Sequence, residues 1–141
     1  MKSKKFRSAF LAILLSFAAT TVFSPAYSAK WDRLTGGDEW VVNIDTESLF
    51  VEKNKRAIWV LWNYSKPQTE SSDGLYQSSK ARWHFDCKLH LAGLKSIVAY
   101  SESHGLGTLV WQKSVEQPVL EEIVPDSVGE TLWKRVCLLK K

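Results

Sequence analysis

Two cysteines, Cys87 and Cys137, three histidines, His84, His90 and His104, and a terminal Lys140-Lys141 pair are the residues of this chain whose types and spacing invite chemistry. Two thiols make either a structural disulfide or a reactive centre. The reactive reading wants a C-x-x-C motif, which is absent, and Cys87 falls among alternating apolar residues. The histidines do little better. His84 and His90, taken as residues of one strand, stand roughly 20 Å apart and cannot share an ion. His84 with Asp86 could begin a metal site, but such a pair on an exposed strand is far more often solvated surface. His104 lies in a glycine-flanked loop, with the same outcome. A Ser-His-Asp set can be drawn on any such chain, yet no G-x-S-x-G elbow, P-loop or H-E-x-x-H supports one. No catalytic residue, metal site or cofactor is expected, and the chain reads as a non-enzyme. A C-terminal lysine presents an ammonium and a carboxylate together, the zwitterion that lysine-binding domains recognise. The plainer reading of Lys140 and Lys141 is a frayed, solvated helix end.

The compartment decides the cysteine question. Lys2, Lys4, Lys5 and Arg7 precede an apolar run from Ala9 to Phe23, and Ser24-Pro25-Ala26-Tyr27-Ser28-Ala29 has the small residues of a cleavage site. Residues 1–28 therefore read as a signal peptide, cut after Ser28 or after Ala29, leaving a single domain over 29–141. The run is shorter than the ~20 residues that span a bilayer, which argues against an uncleaved anchor and an integral membrane protein. No cysteine stands near the cut, so no lipid anchor is expected through a new N-terminal cysteine. In an oxidising compartment Cys87 and Cys137 are expected to pair. Closing a loop of about 50 residues is worth on the order of 4 kcal/mol in the chain-entropy model.

Removing the leader also changes the charge. Four of the 19 lysines and arginines lie in it and none of the 15 acidic residues, so 15 of each remain and the formal net charge falls from +4 to zero. A basic stripe tracking nucleic acid would survive that count, so nucleic acid is not an expected partner. All seven tryptophans, Trp31, Trp40, Trp59, Trp62, Trp83, Trp111 and Trp133, stay in the mature part. They read first as an unusually aromatic small core and second as a recognition surface.

The elements that must position these residues are mostly strands. Trp40 to Thr46 alternates Trp40, Val42 and Ile44 against Val41, Asn43 and Asp45. After the polar turn Glu52 to Arg56, Ala57 to Tyr64 is apolar on both faces, as in a covered central strand. Its stretch from Ile58 to Tyr64 motivates a homodimer through an apolar sheet face. Pro67 to Gly74 reads as a loop. Ser79 to Leu91 alternates Trp83, Phe85, Cys87, Leu89 and Leu91 with Arg82, His84, Asp86, Lys88 and His90, predicting one long strand with a core face and a wet face. Ser96 to Glu102 and Thr108 to Lys113 follow as a hairpin around Gly105 and Gly107, with a short strand at Val119 to Val124. Ser127 and Glu130 form a capping box after Pro125, and Val128, Leu132, Val136 and Leu139 make one stripe with Trp133 and Cys137 beside it. The prediction is an α+β fold, an antiparallel sheet of five or six strands with a C-terminal helix packed on it and tied by the disulfide.

Several ordered pieces resemble the surface-adhesin protein E family of Gram-negative bacteria. They are Val42-Asn43-Ile44-Asp45 with Ser48-Leu49, Trp59 to Tyr64, Ser78-Ser79-Lys80, Phe85-Asp86-Cys87 and Ala99-Tyr100-Ser101. Gly105 with Gly107 and Val124-Pro125-Asp126-Ser127 running to Cys137 complete the set. The resemblance implies an antiparallel sheet with a disulfide-tied terminal helix. It also implies a protein partner, since the characterised adhesin, a lipoprotein, binds host plasminogen, vitronectin and laminin. The reading reached is an exported, non-enzymatic, adhesin-like binding module, located in the periplasm or at the cell surface. Lys140, Lys141, His84 and Lys88 are its candidate ligand-binding residues. The alternative is a periplasmic envelope or inhibitor protein with an endogenous partner and no host ligand.

Overall fold

A computed structural model describes residues 29–70 and 74–140. The leader, its cleavage site and Lys141 lie outside the described residues. The alternation that begins at Trp40 becomes strand β2 (Trp40–Glu52), preceded by β1 (Trp31–Gly36). β3 (Lys55–Thr69), β4 (Leu75–Asp86), β5 (Leu91–Tyr100) and β6 (Leu109–Ser114) follow. These six strands pair antiparallel in chain order, and a two-residue β7 (Glu121–Glu122) adds to β5 beside β6. The helix α1 (Val128–Leu138) closes the chain. The α+β layout expected from the sequence is the one observed.

Several boundaries differ from expectation, and three of the differences have a clear physical reason. β4 stops at Asp86, five residues before the expected end. The Asp86 carboxylate accepts from the N–H of Lys88 at 3.0 Å and of Leu89 at 2.9 Å, and His90 takes a left-handed φ of 57°. An aspartate gripping the backbone that follows it builds a turn, and the apolar alternation through Leu89 only mimics a strand. Leu89 is accordingly exposed and Leu91 begins β5. β3 runs on through Thr69, with Gln68 opposite Tyr76 and Thr69 opposite Leu75, so the loop expected from Pro67 is shorter. β1 was not foreseen, because Trp31 and Leu34 have no two-residue period; its partner β2 supplies the ladder.

Helix α1 starts as its residues predict. The Ser127 hydroxyl accepts from the Glu130 N–H at 3.1 Å. The Glu130 carboxylate reaches back one residue further than a capping box requires, to the Asp126 N–H at 2.9 Å, and also meets Lys134 at 2.9 Å. The Lys134 hydrogen bond, then that of Asp126, holds the Glu130 carboxyl below its ordinary value. Leu132 and Val136 are buried with Val42, Ile44, Ile58, Val60 and Phe85, and Val128, Trp133 and Leu139 pack around them. The helix thus covers the sheet face that carries Val42 and Ile44 of β2 and Ile58 and Val60 of β3. Cys87 and Cys137 are bonded, with Cα atoms 5.7 Å apart across a separation of 50 residues. Beside them the Trp133 indole meets the His90 ring edge-on at 4.3 Å between centroids.

Replacing both Cys87 and Cys137 by serine is expected to cost about 4 kcal/mol of unfolding free energy, read from urea midpoints at constant slope. Ser127→Ala is expected to cost about 1 kcal/mol in the same assay, since the Glu130 N–H loses its acceptor.

Candidate ligand-binding face

Side chains directly opposite across an antiparallel pair share a face, so the register lays out the surface turned away from α1. One row crosses the sheet as Trp31, Asp45, Trp59, Arg82 and Ser96. The next runs Arg33, Asn43, Leu61, Lys80 and Val98, and a third Val41, Asn63, Ser78 and Tyr100. Along β4, Lys80, Arg82 and His84 hold alternate positions and leave this face about 7 Å apart.

Two segments lean over the face. A 3-10 turn at Ser103–Gly105 is held by Asn63, whose Oδ1 accepts from the His104 N–H at 2.5 Å, and by Ser78, whose hydroxyl accepts from the Gly105 N–H at 2.8 Å. Gly105 has φ +69°, which favours glycine, and a Cβ on it would displace the end of the Lys80 side chain. Elsewhere on β5, Gly93 lies against the Val119 carbonyl and the Leu120 side chain, and any side chain there would lift that segment off the sheet. The surface is also indented. A cavity of about 530 Å³ includes Trp31, Arg33, Asn43, Leu61, Asn63 and His104 in its lining. A second, of about 290 Å³, includes Trp31, Asp45, Trp59, Lys80, Val98 and Tyr100. Trp31 lines both.

The charges on this face are held on rings. Lys80 Nζ lies 5.2 Å from the centroid of Tyr100 and the Arg82 guanidinium 5.8 Å from that of Trp59. Arg82 donates to the Ser48 carbonyl at 3.1 Å, and Lys80 to the Gly105 carbonyl at 3.5 Å. The ion pairs among the described residues, Lys113–Glu70 at 3.9 Å and Lys134–Glu130 at 2.9 Å, involve neither cation. Asp45 is buried, and its Oδ1 accepts from the N–H groups of Lys30 at 3.0 Å and Glu47 at 3.2 Å. Burial pulls Arg82 below its ordinary value, with the Asp45 charge working the other way. His84 is also lowered, first by burial and then by the charges of Arg82 and Lys95.

The residues singled out from the sequence do not form one patch. His84 lies on this face, opposite Ala57 and Gly93. Lys88 sits in the turn after β4 rather than on a strand, and Lys140 is exposed beyond the end of α1. The disulfide does bring two of their segments together, because Lys88 follows Cys87 and Lys140 lies just past Cys137. Trp31, Arg33, Trp59 and Lys80 were missed as site residues. Continuing the Arg82–His84 alternation back by two would have found Lys80. Arg33 belongs to a strand that the sequence did not announce. Among the described residues no three His, Cys, Asp or Glu side chains come together to hold a metal ion. No helix among them is long and apolar enough to cross a membrane.

The sequence matches the family described as surface-adhesin protein E over residues 31–138. A crystal form II structure of Haemophilus influenzae protein E is similar, with TM-score 0.57 and 16% identity, covering 76% of this chain and 86% of that one. The protein E structure from non-typeable Haemophilus influenzae gives TM-score 0.55 and 15% identity, covering 81% of this chain and 79% of that one. At such identity the likeness speaks for the fold alone. No curated protein matches the chain.

His84 is expected to titrate below 6.5 in the folded protein. The unfolded chain then takes up the proton first. The stability contributed by neutral His84 is whole above the unfolded value, declines as pH falls through it, and is gone below the folded value. Proton NMR titration of the imidazole checks the direction, and urea unfolding of His84→Gln should show a shallower loss of stability across that window. A folded midpoint at or above the unfolded one contradicts this.

Proposed function

We propose an exported, adhesin-like binding role for this chain, which belongs to the surface-adhesin protein E family. Besides that membership, one observation carries the reading: the sheet face left free by α1 presents half-buried aromatic rings and two cations, Lys80 and Arg82, with no carboxylate in ion-pair contact among the described residues. Such a surface suits binding. Its histidines make no catalytic pair with each other: His84 stands opposite Ala57 and Gly93, neither of them a nucleophile, and His104 lies in the turn over the larger cavity.

The partner is read as a protein, and host extracellular proteins such as plasminogen, vitronectin or laminin are what the family likeness favours. For plasminogen the disulfide lends support. It brings Lys88, next to Cys87, near the segment that leads from Cys137 to Lys140, although they are distant in sequence. A homodimer through the apolar strand has less in its favour. Ile58 and Val60 on one side of β3, and Ala57 and Leu61 on the other, are already buried within a single chain.

Location on the cell and capture of plasminogen test the two levels separately. Protease added to intact cells is expected to cleave the protein; release by osmotic shock alone, with protection on intact cells, would favour a periplasmic role and an endogenous partner. Deleting Lys140 and Lys141 is expected to weaken plasminogen capture by purified protein about tenfold. Unchanged capture removes the lysine-zwitterion idea.

A further inference from the structure

We propose that the face opposite α1 binds an acidic saccharide, with pyranose rings seated on Trp31 and Trp59 and their carboxylates turned to Lys80 and Arg82. The inference deepens the binding reading given above, and rests on the same face.

Four observations converge. The indoles of Trp31 and Trp59 are both half-buried, and both line the smaller cavity. The flat, electron-rich face of an indole packs against the apolar, slightly positive C–H side of a sugar ring. Next, Lys80 and Arg82 lie on this face, each resting on an aromatic ring, with no carboxylate in ion-pair contact among the described residues. Within the chain they donate only to backbone carbonyls, and a ligand carboxylate would supply the ionic partner. Third, the larger cavity adds the polar groups a hydroxyl-rich molecule needs. Arg33 and Asn43 line it with polar side chains, and Asn63 keeps its amide donors because His104 occupies only its oxygen. Finally, the two cavities, of about 530 and 290 Å³, share Trp31. Their sizes are those of small-ligand sites, suited to a few sugar rings and narrow for a packed protein element.

Two carboxylates oppose an anionic ligand. Asp45 sits beneath the smaller cavity with its Oδ1 taken up by backbone N–H groups, and Asp38 lies on the lining of the larger one. The saccharide carboxylate is therefore placed at the Lys80–Arg82 side, and the neutral hydroxyls at Asn43 and Asn63. Lys113, on the other sheet face, offers an internal comparison. It also lies over a ring, Trp111, at 5.6 Å, but it is paired with Glu70.

Calorimetric titration of the purified mature protein with a hyaluronan hexasaccharide, whose sugars alternate between a uronic acid and a neutral N-acetylated ring, tests the assignment. Saturable binding below about 1 mM is expected. Lys80→Met and Arg82→Gln should each weaken it about tenfold. Trp31→Ala, at the sheet edge where the fold tolerates truncation best, should do the same, with circular dichroism establishing that each variant is folded. Lys113→Met should change nothing. Neutral chitohexaose should bind at least about tenfold more weakly, and so should a hexameric polyglutamate. The proposal is overturned by the absence of saturable hyaluronan binding, by polyglutamate binding as tightly as the sugar, or by folded Lys80→Met and Trp31→Ala proteins that bind unchanged. Equal weakening by Lys113→Met overturns it as well. Because the titration uses no cells and no host protein, a failure here leaves the adhesin reading standing, and a periplasmic location leaves a positive titration intact.

Discussion

The clamp between α1 and the sheet decides everything else about this molecule. A six-stranded sheet has two faces, and a chain of this length can supply one terminal helix to cover only one of them. Leu132 and Val136 choose the face of Val42, Ile44, Val60 and Phe85, and the Cys87–Cys137 bond removes the freedom to choose otherwise. The opposite face is then left to short segments, which cover its ends and not its middle. The exposed cation-and-aromatic surface is a consequence of that shortage.

The uncovered face is nevertheless built with care at the backbone level. Ser48 bridges the irregularity in β2 by donating to the Asp45 carbonyl at 2.7 Å and accepting from the Trp59 N–H at 3.0 Å. Asp45 next to it is buried, which is tolerable because two backbone N–H groups donate to its Oδ1. Arg82 in turn is oriented by the Ser48 carbonyl and the Trp59 ring. Ser48, Asp45, Trp59 and Arg82 therefore form one connected unit on three strands, so the cation is positioned by the fold rather than left to sweep through solvent.

The tryptophans divide the two faces between them. None of the seven is fully buried. On the helix side, Trp40 and Trp62 stand 5.5 Å apart and begin a band that continues through Tyr64 and Tyr76 to Trp111 on the edge strand. On the other side, Trp31 and Trp59 line the smaller cavity, while the larger one is lined by Trp31 and by Trp40 at the start of β2. An indole is large enough to pack with part of its ring and leave the rest in contact with water, so a chain short of core volume can use the same residue for stability and for recognition.

Local chemistry made much of the fold legible in advance. Two-residue alternation announced β2 and most of β4, double apolarity announced that β3 is central, and Ser127 with Glu130 announced the start of α1, because each depends on neighbours in the chain. The end of β4 was misread although its cause is local, since the Asp86 turn lies hidden under a continuing alternation of apolar residues. The site was hardly legible. Arg33 reaches the face through β1, which exists only because β2 pairs with it; Trp59 and Arg82 meet through the register of β3 against β4; and Lys80 is placed by a glycine 25 residues away. The sequence by itself determined most of the strands, the terminal helix and the two cysteines that could join it to the sheet. Only the tertiary structure decided which face the helix covers and which cations are left without a carboxylate, because pairing register and face choice are set by contacts between strands that carry no mark in either strand alone.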